Sequence, residues 1–217
     1  MEKLKSSLTN MVLVLVGVSL AIGAILAYVN HVTEGPISQK AQLALAQGIK
    51  NVMGAEDLKV DDPEERKENI DGKEAVFVLH HCRDNQGKYM GAAVESTTGG
   101  FAGNLKVLVG FDTEGRVLGY TILQTSETPG LGAKADKWFQ KGGKGDVIGK
   151  NPSEGELHVS KDGKNGNAID AITASTITSR AFLKAINTAH AVYMENDVDA
   201  ASGASQVNQQ AEGSSTH

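Results

Sequence analysis

Residues 11–29, MVLVLVGVSLAIGAILAYV, are apolar throughout and carry no charge. At a rise of about 1.5 Å per residue such a run crosses a bilayer core about 30 Å thick, which predicts a transmembrane helix over residues 11–30. A cleaved signal peptide is the rival, but its apolar core spans about 7–15 residues and ends at a small-residue site. Ala21 and Gly23 lie inside this run, so an uncleaved anchor is preferred. Lys3 and Lys5 against Glu2 precede the run, and Asn30, His31 and Glu34 follow it. The positive-inside bias therefore assigns residues 1–10 to the cytoplasm and the rest of the chain to the far side, periplasmic or extracytoplasmic.

After the anchor the apolar period becomes that of an amphipathic helix. Pro36 opens it, and Ala41, Leu45, Ile49 and Val52 recur on one face, predicting a stalk helix over residues 31–53. Residues 54–72, rich in Asp and Glu, read as a solvated loop. The pattern then shortens to that of strands. AVFVLHH (75–81) and YMGAAVES (89–96) flank the turn-forming DNQGK, and LKVLVGF (105–111) turns through DTEG into RVLGYTIL (116–123). Four strands in two hairpins predict a twisted antiparallel sheet. Residues 124–149 are dense in Gly and hold a short helix near 133–140, and such a long irregular segment is where function concentrates. A short strand is expected at 156–160, followed by a helix that packs Ala181, Phe182, Ile186, Ala189, Val192 and Tyr193 on the sheet. Residues 54–196 are thus one α+β domain, and the polar tail 197–217 has too few large apolar side chains to order itself.

Composition narrows the function classes. A formal net charge of -5, spread along the chain, offers no basic stripe, so nucleic acid is not an expected partner. The single Cys82 supplies no intrachain disulfide and no CxxC pair for a metal or cluster, so any redox role needs a borrowed cofactor. His80, His81 and Cys82 are consecutive on a strand, and their alternation between faces argues against a shared metal. Trp138 and Phe139 are expected to pack in the core, and Cys82 to be an inert thiol.

Candidate chemistry gathers in DAITASTITSR (170–180), with five hydroxyl side chains. Thr173, Ser175 or Thr176 can cap the last helix, which accounts for one or two of them. Thr178 and Ser179 gain nothing from capping, since Thr is a mediocre helix former. The same helix start can seat a phosphate on its free N–H groups, with Arg180 adding a charge-assisted contact. Both readings stand on these residues alone.

DAITASTIT resembles the flavinylation motif of the FMN-binding subunits of the Rnf and sodium-pumping NADH:quinone reductase complexes. That pattern is Asp, two variable residues, Ser/Thr-Gly-Ala-Thr/Ser, one variable residue, and the Thr that forms a phosphoester with FMN. Asp170, Thr173, Thr176 and Thr178 match it, while Ala174 and Ser175 replace its Gly and Ala. ETPGLG (127–132) is similar to the segment that lines the flavin site in that family, with Pro129 stiffening a turn and Gly130 and Gly132 permitting close backbone approach. The resemblance spans the chain from the anchor to about residue 195 and is strongest to the G-type subunits of Rnf complexes.

The resemblance implies covalent FMN on Thr178, attached by a flavin transferase, with Glu127, Thr128, Gly130, Leu131 and Gly132 bordering the ring and Thr173, Ser175, Thr176 and Arg180 nearer the phosphate. It further implies an electron-relay subunit without its own catalytic residues or metal, partnered by other membrane subunits of a translocase that couples ferredoxin:NAD oxidoreduction to ion transport in a bacterial inner membrane. The C-type subunit of the quinone reductase is the alternative within the class. A membrane-tethered binding module, in which the hydroxyl cluster only caps a helix, is the alternative outside it.

Overall fold

The computed structural model describes residues 8–163 and 166–201. The chain divides between Leu45 and Ala46 into two compact units. The first holds most of helix α1 (Leu8–Met53), whose segment Leu8–Thr33, with a mean hydropathy of 2.7, is long and apolar enough to cross a membrane. The sequence pattern predicts two helices here, and the structure has one, running through Pro36. A proline removes a single link from the helical ladder, and the ladder continues on both sides of it. The expected cytoplasmic segment lies, for residues 1–7, outside the described residues.

The second unit begins with the last turns of α1. Strands β1 (Lys59–Val60), β2 (Glu64–Ile70), β3 (Lys73–Arg83), β4 (Tyr89–Gly99), β5 (Asn104–Phe111) and β6 (Val117–Thr125) form one antiparallel sheet in the order β1-β3-β4-β5-β6, with β2 also paired to β3. The loop expected over 54–72 is therefore corrected. Glu64–Ile70 alternates half-buried and exposed positions along an edge, and Asp71-Gly72, with φ of 53° and 77°, closes a tight hairpin into β3. Two left-handed residues in a row match the twist of the flanking strands. The turns at Asp84 and Asp112 use one device, an aspartate Oδ1 accepting two backbone N–H groups of its own turn.

Past β6 the chain makes a 3-10 turn (Gly132–Lys134) and helix α2 (Ala135–Trp138). Strand β7 (Leu157–Val159) pairs in parallel with β8 (Asn167–Ile169), a strand the sequence pattern does not single out, and helix α3 (Thr176–Ala201) follows. The helix runs on past residue 197, where a disordered tail was expected, and 202–217 lie outside the described residues.

The core lies between one sheet face and α3. Phe77, Leu79, Val94, Val107, Val109 and Phe111 meet Phe182, Leu183, Ile186, Ala189 and Tyr193, all fully or nearly fully buried. Phe139 stacks on Phe182 with centroids 4.3 Å apart, and Phe111 stacks on Tyr193 at 5.6 Å. On the other face the end of α1 lies close, because a side chain at Gly110 or Gly119 would meet the carbonyl oxygen of Val52. A polar pair is also buried, His80 Nε2 sitting 2.8 Å from Glu95 Oε1, and the half-exposed Lys106 reaches Glu95 Oε2 with its Nζ at 2.5 Å. Burial alone raises the Glu95 carboxyl, but the hydrogen bonds from His80 and Lys106 outweigh it and hold that carboxyl below its ordinary value.

Candidate functional site

The start of α3 is built by Ser179 and Ala174. The Ser179 Oγ accepts from the Ile172 N–H at 3.0 Å and donates to the Ser175 carbonyl at 3.0 Å. One buried hydroxyl thus closes the preceding turn onto the helix and explains why a serine stands there. The turn itself passes through Ala174 at φ 61°, a left-handed conformation that L-residues other than glycine adopt at a cost of about 1–2 kcal/mol. This is the position at which glycine is usual in the resembling motif. Ala174→Gly is expected to stabilise the domain by about 1 kcal/mol, once the extra chain entropy of glycine is subtracted. A urea unfolding midpoint compared with wild type checks it.

That turn places Thr178 inward, 1% exposed, with its hydroxyl donating to Glu127 Oε2 at 2.9 Å. The other carboxylate oxygen of Glu127, Oε1, accepts the backbone N–H of Phe101 at 2.6 Å and of Ala102 at 3.2 Å. Glu127, itself 7% exposed, is therefore gripped on both oxygens. Two glycines make room for it. A Cβ on Gly100 would collide with Oε1, and a Cβ on Gly132 would collide with Oε2 while standing 2.8 Å from the Thr178 hydroxyl oxygen. The carboxylate, the threonine and the backbone of both loops form one close-fitted cluster.

Other residues of the ETPGLG loop shape it rather than enter the cluster. The Thr128 carbonyl accepts the N–H of Leu131 at 3.1 Å and of Ala133 at 3.3 Å, and Gly130 turns at φ 79°. Pro129, Gly130, Ala133, Lys134, Trp138 and Lys144 line an open cleft of about 470 Å³ beside it. Trp138 is half-buried, donating its indole N–H to the Asp170 carbonyl at 2.8 Å, so the first residue of the hydroxyl-rich segment is docked onto the irregular segment. Thr173 is exposed, Ser175 is buried and Thr176 is half-buried as the first residue of α3. Arg180 is exposed, and its guanidinium holds Asp162, with Nη2 to Oδ1 at 2.5 Å.

Sequence reasoning passes over the turn at residues 100–103. Gly100 donates its N–H to the Gly103 carbonyl at 2.8 Å, which aims the next two N–H groups at Glu127. It leaves Phe101 71% exposed, and Leu131 and Ile177, the neighbours of Gly132 and Thr178, are 43% and 53% exposed. Three exposed apolar side chains thus stand next in sequence to residues of the cluster or supply its N–H donor. The signal was a lone Phe inside GGFAGN, where a plain hairpin has no use for an aromatic.

Gly132→Ala is expected to push the Glu127 carboxylate off Thr178 and cost about 1–3 kcal/mol from overpacking. A thermal unfolding midpoint gives the cost, and loss of protection of the Thr178 environment in a hydrogen-exchange profile reports the displacement.

His80, His81 and Cys82 lie apart from this cluster. His80 and His81 point to opposite faces, the first toward Glu95 and the second toward Tyr89 and Glu64. No metal-holding group of His, Cys, Asp or Glu occurs among the described residues. Burial pushes the Cys82 thiol up to about 11, leaving it protonated and unreactive near neutral pH.

The FMN-binding domain family matches residues 100–191, a span that starts at the Gly100 turn and includes both Glu127 and Thr178. The G-type subunit of the Na(+)-translocating ferredoxin:NAD(+) oxidoreductase complex of Acetobacterium woodii is 32% identical over 189 residues, covering 83% of this chain and 89% of that protein. Its counterpart in the ion-translocating oxidoreductase complex of Yersinia pestis is 31% identical over 192 residues, 82% of this chain and 88% of that protein. The corresponding protein of Shewanella piezotolerans is 29% identical over 203 residues, 88% and 92%.

Proposed function

Since the chain belongs to the family of G-type subunits of ion-translocating oxidoreductase complexes, we propose that it serves such an Rnf-type complex as an electron-transfer subunit, relaying electrons through FMN held by a phosphoester on Thr178. The observation that carries the attachment site is the Thr178 hydroxyl, singled out from its four hydroxyl neighbours by a buried hydrogen bond to Glu127. The residues present fit the group. Thr178 lies in the first turn of a helix, where the partial positive charge and free N–H groups favour a phosphate. Gly100 and Gly132 let both loops close on Glu127 beside Thr178, and Phe101, Leu131 and Ile177 offer exposed apolar surface to a planar ring. When bound, the isoalloxazine supplies the redox chemistry, and the protein supplies its position and the donors around it.

On this reading residues 54–196 form the FMN-binding domain, and the segment Leu8–Thr33 anchors it in the bacterial inner membrane. Lys3 and Lys5 favour a cytoplasmic N-terminus and a domain on the far side of the membrane. A covalent cofactor suits that side, where a dissociated flavin would be lost, and a flavin transferase is the partner in maturation. Ferredoxin and NAD are left to other subunits, because the chain has neither a cysteine cluster nor a GxGxxG segment.

The test is flavin fluorescence of the full chain after denaturing electrophoresis, with and without a co-produced flavin transferase. A band that fluoresces only with the transferase is expected. A dark band beside a labelled control acceptor would favour a non-redox binding module.

A further inference from the structure

The resemblance puts Glu127 at the border of the ring, but its geometry points to a different task. Its Oε2 lies 2.9 Å from the Thr178 hydroxyl oxygen, within the reach of a general base for the proton it removes. Its Oε1 is fixed by the Phe101 and Ala102 N–H groups at 2.6 and 3.2 Å, so the carboxylate cannot rotate freely and is held as an acceptor. Among the described residues no lysine or arginine forms an ion pair with it, in contrast to Glu95, whose charge is spent on His80 and Lys106. Gly100 and Gly132 are both needed to admit it, since a side chain at either would occupy the carboxylate's own space.

We propose that Glu127 is the general base by which this chain takes part in its own flavinylation, a conclusion that rests on Thr178 being the attachment site. The step balances without any change of oxidation state. A hydroxyl becomes a phosphoester only with an activated phosphoryl donor, here a flavin pyrophosphate such as FAD. The Thr178 oxygen attacks the flavin-side phosphorus, the new O–P bond forms as the bridging P–O bond breaks, and the nucleoside monophosphate leaves. The Thr178 proton passes to Glu127 Oε2. The Thr178 side chain is 1% exposed, so its surroundings must part for the phosphorus to reach it while Glu127 Oε2 stays on the hydroxyl. Once the ester has formed, its oxygen has no proton to donate, and the phosphate's negative charge opposes return of an ionised Glu127 to its former contact.

Three versions of the full chain in detergent, wild type, Glu127→Gln and Thr178→Ala, are incubated with FAD, Mg²⁺ and a flavin transferase, and covalent flavin is followed by gel fluorescence over time. Glu127→Gln nearly preserves shape and removes the base. Its initial rate is expected to fall about 10²–10⁴-fold, the usual contribution of a general base, while the extent reached at long times approaches that of wild type. Labelling of Glu127→Gln at the wild-type rate would overturn the role of Glu127 and leave Thr178 in place. Absence of label on wild type, with a control acceptor labelled, overturns the attachment site and this role with it. If Glu127→Gln does not fold, Glu127→Asp replaces it, keeping a carboxylate one methylene short of the hydroxyl. A slowed rate with an undiminished endpoint supports the role, and an unchanged rate contradicts it.

Discussion

Thr178→Ala is expected to remove all covalent flavin from the chain, whereas Thr173→Ala and Thr176→Ala keep it. The difference rests on where α3 begins. Thr173 stands in the exposed turn before the helix and Thr176 is its first residue, while Thr178 is 1% exposed with its hydroxyl bound to Glu127. Of these three hydroxyls, only that of Thr178 is held by a carboxylate. The loss should be complete rather than partial, because the Ser179 hydroxyl cannot substitute. It already accepts from Ile172 and donates to Ser175, and turning it outward would unmake the helix start. Comparative gel fluorescence of the three variants, each produced beside a flavin transferase, checks this. Residual label on Thr178→Ala would mean that another hydroxyl serves.

Phe182→Ala is expected to cost about 3–5 kcal/mol, the usual range for a fully buried phenylalanine. Phe182 is 0% exposed, stacked on Phe139 at 4.3 Å and edge-on to Tyr120 at 4.7 Å. Against a typical domain stability of about 5–15 kcal/mol this is a large share. The effect reaches the site as well, because residues four apart share a helix face and Phe182 follows Thr178 by one turn. The same packing that holds α3 on the sheet aims Thr178 at Glu127. A chemical denaturation midpoint measures the stability, and slower flavin attachment in the folded fraction would show the coupling.

The parts of the fold legible in the sequence were those with an unbroken period. The apolar run 11–29, the alternation in 75–81 and 105–111, and the apolar face of α3 each repeat a simple spacing, and each appears as expected in α1, β3, β5 and α3. β2 escaped because Glu64–Ile70 is an edge strand whose charged residues hide its alternation, although Asp71-Gly72 was a hairpin signal in plain view. The break expected at Pro36 did not occur, since losing one hydrogen bond is a local cost in a helix of 46 residues.

The site was half legible. The Gly-rich stretch 124–149 and the hydroxyl cluster 170–180 stood out by composition, and 127–132 within the first by its resemblance, but that Glu127 bonds Thr178 across 51 positions in sequence is a property of the fold alone. The Gly100 turn was unreadable for the same reason, as its N–H groups matter only once Glu127 lies opposite them. Ala174 illustrates a further limit. Its departure from glycine was visible, while the left-handed turn that makes the departure costly was not.

Covalent flavin on Thr178 is tested most directly by peptide mass spectrometry of the full-length protein isolated from the membranes of its own host, with fragmentation to locate the modified side chain. A peptide spanning 170–180 that carries the mass of FMN less one water, with the added mass on Thr178, is the expected result. Membranes that yield this peptide only in unmodified form, or the flavin on any other residue, would contradict it.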